Sequence, residues 1–370
     1  MEDFDAVVIG AGVAGCTMAR LLAEKGKRVL VFEKTKRIGG QAADDYIDGR
    51  LTQLFGIHVL YGDSMEVKEF FERFAELQEC KMISKCNIHG KVIDLPINFK
   101  TFEQYFDKET ADKIKKELKT EFRDKKVSYS DIKNAGLECQ TEIDDLLHFV
   151  YEEYSDKQWQ EDAKSVSVID RVKIIIGYAE NYIDATYYYV PKDGFTKMFQ
   201  KMVDHENIRI VLGEDGTKYV RTDDKKVSVF GKKVPVINTT RIDKFFQYKY
   251  DSLKYRSLDF EYKNVEDSLG CCAMHFPVNY DYIRVSDTGF LYGRDNQHNR
   301  VYEYPKLLER HDYKTYYTVS TSLYKERAAT YGIWSLGYDR IYQIGRAAEY
   351  RHYTMFELVE NCIKLAGEIK

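Results

Sequence analysis

No Cys-x-x-Cys pair and no zinc spacing occurs among the seven cysteines, Cys16, Cys80, Cys86, Cys139, Cys271, Cys272 and Cys362. An odd count without a framework excludes a disulfide-stapled scaffold and fits a reducing cytoplasm. No apolar run reaches the ~18–20 residues that cross a bilayer, so no membrane span is expected. The chain opens directly into a strand-like run, Phe4 to Ile9, so no signal peptide is expected. Neither sign of charge dominates. With 56 basic and 60 acidic residues, a net of −4, the cationic surplus that meets nucleic-acid phosphates is missing. No metal-ligand cluster and no Ser/His/Asp arrangement is visible. Carboxylate groups such as Asp44-Asp45, or Glu142 with Asp144 and Asp145, read as solvated charge.

Proline is scarce at 5, while aromatics abound, with 30 Tyr and 20 Phe. A tyrosine offers an apolar ring and a hydroxyl, a good wall for a polar ligand. At ~100–200 residues per domain, a chain of 370 residues with 44% hydrophobic content builds two or three domains.

Along the chain, Phe4–Ile9 predicts a strand, Cys16–Lys25 a helix closed by Gly26, and Arg28–Phe32 a second strand. Val67, Phe70, Phe71 and Phe74 recur near a period of 3.6 and predict a helix over Glu66–Gln78. Ile88-His89-Gly90-Lys91 reads as a hairpin turn. From Thr101 to about Ala163 the text is helical and charged. Gly194–Val203 predicts a helix and Ile208–Leu212 a strand. Gly231 marks a hairpin, and Val234–Ile237 a short strand placed at an edge because it holds Pro235. Ser257–Tyr262, Cys272–Phe276, Tyr282–Val285 and Thr315–Ser320 predict an antiparallel sheet. Ile341–Ile344 closes the strands, and Thr354–Glu368 is a final helix. The fold class is therefore α/β: a Rossmann-like FAD-binding domain with an inserted helical domain and an antiparallel β-sheet domain. The expected units are a discontinuous cofactor domain (1–64, 190–248 and 325–370), a mainly helical insertion with a mobile substrate loop (65–180), and a sheet domain (249–324 plus about 81–98).

The chemistry begins at Val7-Val8-Ile9-Gly10-Ala11-Gly12-Val13-Ala14-Gly15. A strand precedes this G-x-G-x-x-G and a helix follows. Gly10 permits the tight turn, Gly12 the approach of a pyrophosphate, and Gly15 close helix–strand packing. The backbone at Val13 and Ala14 opens the helix, whose free N–H groups and dipole favour phosphate. Glu33 ends the second strand, placed to accept from ribose hydroxyls. Glu33-Lys34-Thr35-Lys36-Arg37-Ile38-Gly39-Gly40-Gln41 then adds a basic loop and a glycine pair. This extension resembles the flavoproteins related to glutathione reductase and amine oxidases. It implies FAD rather than NAD, held by Lys34, Gly39, Gly40 and Gln41 besides the first motif, with Arg37 near the pyrophosphate.

Further on, Gly56-Ile57-His58 resembles a Gly-Ala-His turn, and Leu95-Pro96-Ile97-Asn98 an L-P-F-N segment. Tyr154-Ser155-Asp156-Lys157-Gln158-Trp159 resembles Y-T-E-K-Q-W, and Pro191–Lys197 resembles P-x-G-G-Y-T-K. Tyr255-Arg256-Ser257-Leu258 matches Y-R-S-L, and Gly345–Tyr350 matches G-R-x-A-E-Y. In this order, and over almost the full length, the chain resembles the UDP-galactopyranose mutase family.

The resemblance implies a reduced, noncovalent FAD whose N5 attacks the anomeric carbon of a nucleotide sugar and expels the diphosphate. The sugar–flavin adduct opens through an iminium, recloses with the other ring size, and the nucleotide returns, without net oxidation. It implies catalytic roles for Arg284, His58, Tyr187 and Tyr317. Flavin contacts are implied for His58, Arg346 and Met355. Substrate contacts are implied for Asn98, Tyr154, Ser155, Trp159, Tyr187, Arg284, Tyr316, Tyr317 and His352. Two departures stand out. The family's loop arginine is Ile175 here, with Arg171 and Lys173 nearby. Its late tyrosine and aspartate are His352 and Thr354. The expected partner is a UDP- or dTDP-hexose in a cytoplasmic enzyme of cell-envelope polysaccharide synthesis, with a homodimer carried over from the family. An amine-oxidase-like oxidoreductase and a noncatalytic FAD-binding homologue are the alternatives. Redox dependence separates them.

Overall fold

The computed structural model describes residues 3–160, 170, 172–180, 185–223, 225–294, 297–307 and 315–369. Its first layer is a parallel five-stranded sheet in the order Ile208–Leu212, Val29–Glu33, Ala6–Ile9, Val236–Asn238, Ile341–Gln343. The central strand, Ala-Val-Val-Ile, is buried at all its positions, the unbroken apolar run expected of a strand covered on both faces. The helices Val13–Glu24, Phe195–Val203 and Met355–Glu368 pack on one another and on this sheet. Leu22, Phe199 and Phe356 lie in that core.

Pro235 does not put its neighbour at an edge. Val236–Asn238 is an inner strand, because pairing begins one residue after the proline. The missing N–H therefore costs no ladder bond, while the Pro235 carbonyl accepts from Val7 N at 2.9 Å.

A seven-stranded sheet forms the second layer, ordered Tyr317–Thr318, Tyr255–Val265, His298–Leu307, Arg284–Asp287, Ala273–His275, Ser84–Ile88, Lys91–Leu95. All its pairings are antiparallel except that of Ala273–His275 with Ser84–Ile88. That parallel pairing joins segments far apart in sequence, so no hairpin dictates its direction. The hairpin about His89-Gly90 forms as expected, and the expected Thr315–Ser320 strand shrinks to Tyr317–Thr318.

Two elements depart from the periodicity. The Glu66–Gln78 helix ends early, as Met65–Glu72. Leu77–Glu79 becomes instead the strand that pairs with Tyr187–Pro191, tertiary pairing overriding local pattern. Ser322–Ser335 is a helix that the pattern did not announce. Ile333 and Leu336 are exposed around it, so no clean apolar stripe marks its inner face.

A helical cluster, Phe99–Tyr105, Lys108–Phe122, Tyr129–Lys133 and Gln140–Leu147, packs against the end hairpin of the second sheet. Its core joins Phe102, Ile114, Leu118, Ile143 and Leu147 to Ile88 and Ile93 of the hairpin. A π-helical stretch, His148–Glu153, leads into the short helix Tyr154–Trp159.

Candidate functional site

Two loops at the C-terminal ends of neighbouring parallel strands form a glycine cradle. Gly10 has φ +101°, and a Cβ there would stand 2.3 Å from Thr239 Oγ1. A Cβ on Gly15 would stand 1.8 Å from the Gly10 carbonyl oxygen, and one on Gly40 3.0 Å from Gly12 Cα. Gly39 N donates to Ala11 O at 2.8 Å, closing the second loop on the first. Glu33 fastens both. Its Oε2 accepts from Ala11 N at 2.8 Å, and its Oε1 from the amide and hydroxyl of Thr35 at 2.9 Å each. Oε2 keeps a lone pair for a ribose hydroxyl. Gly12 caps the Val13–Glu24 helix without a side-chain bond, so the first N–H groups there await an acceptor. These residues fit a dinucleotide: the cradle admits no side chain at Gly10 or Gly15 and presents amides and a helix N-terminus.

Around the cradle, Lys34 is exposed and Arg37 pairs with Asp45 at 3.4 Å. Gln41 donates to the carbonyls of Thr315 and Tyr316 at 2.8 and 3.0 Å. Arg346 donates to Tyr353 O at 2.9 and 2.5 Å. Met355, buried, begins the C-terminal helix.

The second group is built on the larger sheet. Arg284 and Glu303 are direct partners on adjacent strands. Nε of Arg284 donates to Oε1 and Nη2 to Oε2, both at 2.7 Å. Nη2 also reaches the Tyr317 hydroxyl at 3.4 Å. Burial opposes the cation, but the Glu303 carboxylate beside it more than offsets this and holds the Arg284 pKa above its usual range. Gly56 packs onto this pair with φ +80°; a Cβ there would stand 2.6 Å from Glu303 Oε1. That close approach brings in His58, whose Nδ1 lies 2.9 Å from Gly56 O. A carbonyl accepts only, so Nδ1 carries the proton and Nε2 of the neutral ring is the acceptor. Gln53 holds the turn by accepting from His58 N at 2.5 Å and donating to His58 O at 2.9 Å. Burial, then the charge of Arg346, push the His58 pKa down to about 4.

Aromatic rings complete the wall. Trp159 meets Tyr317 edge-on at 5.9 Å, and Tyr154 stacks on His275 at 4.8 Å. Burial, then Arg284, lower the His275 pKa to about 3. Burial holds the Tyr154 phenol above its ordinary range, against the pull of Arg284.

Arg284, His58, Tyr317, Tyr154 and Trp159 thus come together, and others of the implied site residues do not join them. Asn98 caps the Phe99–Tyr105 helix through Oδ1 to Thr101 N (3.1 Å), and its Nδ2 donates to Ala179 O (3.1 Å). Buried and committed at both ends, it is a structural cap. Tyr316 borders the group instead: it packs between Phe55 and Phe260, at 5.5 and 5.2 Å, and Phe260 stands directly across from Glu303. Tyr187 lies against the Met65–Glu72 helix, its hydroxyl 3.7 Å from Met65 Sδ. Ser155 is buried within its helix, and His352 is exposed. Ile175 is buried in a short strand pairing with Lys126, so no cation enters the site there. Lys173 lies near Asp131. Arg171 and the expected loop segment 161–169 lie outside the described residues. Glu303, Gln53 and His275 went unread in the sequence. An inward charge opposite Arg284 was the available signal for the first of them.

A family model described as UDP-galactopyranose mutase matches residues 149–352. The chain belongs to the UDP-galactopyranose mutase family. A second model, an NAD(P)-binding Rossmann-like domain, matches residues 8–74 and covers the cradle. Among curated relatives, a dTDP-fucopyranose mutase of Escherichia coli is 27% identical over 97% of this chain and 97% of its own. A UDP-galactopyranose mutase of Mycoplasma pneumoniae is 26% identical over 100% of this chain and 96% of its own. That of Mycoplasma genitalium is 30% identical over 71% of this chain and 67% of its own. A crystal structure of reduced UDP-galactopyranose mutase shares the fold at TM-score 0.73, with 15% identity, 100% of this chain and 94% of that one covered. An oxidoreductase from Methanosarcina mazei shares it at 0.60, with 13% identity. The shared fold therefore does not separate mutase from oxidoreductase, whereas the family model does. As a member of the mutase family the chain is an FAD-dependent isomerase. Among the described residues no helix is long and apolar enough to cross a membrane.

Proposed function

We propose that this protein interconverts the pyranose and furanose forms of a nucleotide-activated hexose, UDP-galactose or a related UDP- or dTDP-sugar. The observation that carries this reading is Arg284, held bidentately by Glu303, in reach of Tyr317 and next to the His58 turn. In this reading the segments 1–64, 190–248 and 325–370 hold FAD. The helices of 65–180 and the sheet of 249–324, with 81–98, hold the sugar nucleotide. Bound there in its reduced state, FAD would supply a nucleophilic nitrogen, N5, for chemistry at the anomeric carbon.

The chain's own residues supply the rest. A departing diphosphate gathers negative charge, and a fixed cation aimed at it is worth most where water is scarce. Arg284 is that cation. Glu303 takes its Nε–Nη2 edge and orients the fork before substrate arrives. Tyr317, accepting from Nη2, turns its own hydroxyl proton toward the phosphate oxygens. The aromatic edge of Trp159 and the ring of Tyr154 wall the nucleotide. His58, neutral and protonated at Nδ1, offers Nε2 as an acceptor that orders a proton donor beside the flavin position.

The test is incubation of the dithionite-reduced protein with UDP- and dTDP-hexoses, followed by chromatography. Conversion to a furanose isomer without net loss of reductant supports the reading. Oxygen consumption driven by substrate overturns it, as does recovery of every sugar unchanged. A homodimer and a cytoplasmic location complete the proposal; sedimentation velocity at micromolar concentration tests the former.

A further inference from the structure

The helix Tyr154–Trp159, the end of a helical run that begins at Gln140, carries the rings of Tyr154 and Trp159 beside Arg284 and Tyr317. Two cations fix it from different sides. The Lys157 ammonium donates to the carbonyl oxygens of Phe276, Tyr280 and Tyr282 at 2.7, 2.5 and 2.8 Å. An ammonium has three protons, and all three go to one turn, the turn that runs from His275 into Arg284. At the far end of the helix Arg256, fully buried, donates through Nε to Gln158 O and through Nη1 to Gln160 Oε1 at 3.2 Å. That places a positive charge on the helix C-terminus. Arg256 stands directly across from Tyr317 on the neighbouring strand. Lys157 therefore ties the helix to the turn before the strand of Arg284, and Arg256 ties it to the strand that pairs with Tyr317.

The hydrogen bonds of these two cations go to carbonyl and amide oxygens, not to carboxylates. Withdrawing a cation from water toward neutral acceptors is a poor route to stability. What the arrangement secures is geometry: the rings on the helix and the cation and phenol on the sheet share one frame.

We propose that Lys157 is a positioning residue for the nucleotide-sugar site, locking the Tyr154–Trp159 helix against the Phe276–Tyr282 turn so that aromatic wall and diphosphate-facing cation form one preorganised surface. This rests on the reading of that surface given above. The ligand it serves is a nucleoside diphosphate, whose base meets the rings while its phosphates meet Arg284. Lys157 touches neither.

The chain has two tryptophans, so Trp334→Phe leaves Trp159 as the sole indole reporter. In that full-length, FAD-loaded background, UDP and dTDP are titrated and the Trp159 emission followed. Lys157→Met is expected to weaken the tighter nucleotide by about tenfold or more, the loss of a set of charge-assisted bonds. FAD content stays unchanged, and Lys157→Arg recovers part of the affinity. A Lys157→Met protein that retains FAD and binds as tightly as its parent overturns the proposal. So does an equal loss of FAD and of thermal stability in the Met and Arg variants, which marks a role in folding alone. If the parent binds neither nucleotide, the nucleotide-sugar reading falls instead. The lock is then judged on the emission itself, red-shifted in Lys157→Met if the helix is released and unshifted if it never was held.

Discussion

Arg284 and Glu303 stand opposite each other on adjacent antiparallel strands and meet through two bonds of 2.7 Å. The carboxylate is almost fully buried while a fifth of the arginine side chain stays accessible. The pair is thus a fixed cation with one open side rather than a sealed structural bridge.

Replacing Glu303 with Gln keeps the shape but removes the charge that orients Arg284. Removing one partner of a buried ion pair costs ~3–5 kcal/mol, and the accessible side of Arg284 puts this case at or below the lower end. The melting temperature should fall, and isomerisation should drop by at least about tenfold, with the flavin absorbance retained. Chromatographic turnover and a thermal melt on the same preparation check this. Unchanged turnover would mean that Glu303 does not orient the fork.

The two depressed histidines set an acid limit. An unfolded histidine titrates near ~6.5, whereas burial holds His58 at about 4 and His275 at about 3 in the folded chain. Between those values the unfolded chain binds protons that the folded chain refuses. Stability is therefore full above ~6.5 and declines as the pH falls toward 4. Urea midpoints at pH 7.5 and pH 5 should differ in that sense, and His275→Gln should narrow the difference. An equal drop in variant and parent would exclude His275 as a contributor.

The cradle was legible because its chemistry is local. Three glycines, an acid at the end of the second strand and a glycine pair fall within about forty residues of sequence, and each answers a backbone requirement visible in the text. Arg284, Trp159 and Tyr317 were legible through motif resemblance. Their mutual contact depends on register between strands distant in sequence, which a linear pattern does not contain. Glu303 was hidden for a physical reason. In His298–Leu307 the inward positions include Val301 and Glu303 and the outward ones Tyr302 and Tyr304, so charge and apolarity alternate the wrong way round. A buried carboxylate that satisfies a buried arginine breaks the binary pattern that announces a strand.

Asn98 separates a cap from a ligand. Asn98→Ala removes the acceptor for Thr101 N and the donor to Ala179 O, and losing an N-cap costs ~1 kcal/mol, up to ~2. The melting temperature should fall while KM for the sugar nucleotide stays within about twofold, because a cap acts on folding. A KM raised tenfold or more at unchanged stability would return Asn98 to the substrate site.

Gly12 and Gly15 are one turn of helix apart and should fail differently. A Cβ on Gly15 meets the Gly10 carbonyl at 1.8 Å. That is backbone against backbone, so Gly15→Ala must separate the first strand from its helix and should destabilise the whole unit. A Cβ on Gly12 finds Gly40 Cα at 3.7 Å, an ordinary contact, and so should leave the fold intact. It would nevertheless stand where the pyrophosphate of a dinucleotide approaches the loop. Gly12→Ala should therefore purify as a folded protein with a near-parental circular dichroism melt in the FAD-free state, yet without flavin absorbance. Gly15→Ala should lose structure and flavin together. A yellow, fully loaded Gly12→Ala would mean that the diphosphate of FAD lies elsewhere than over this amide.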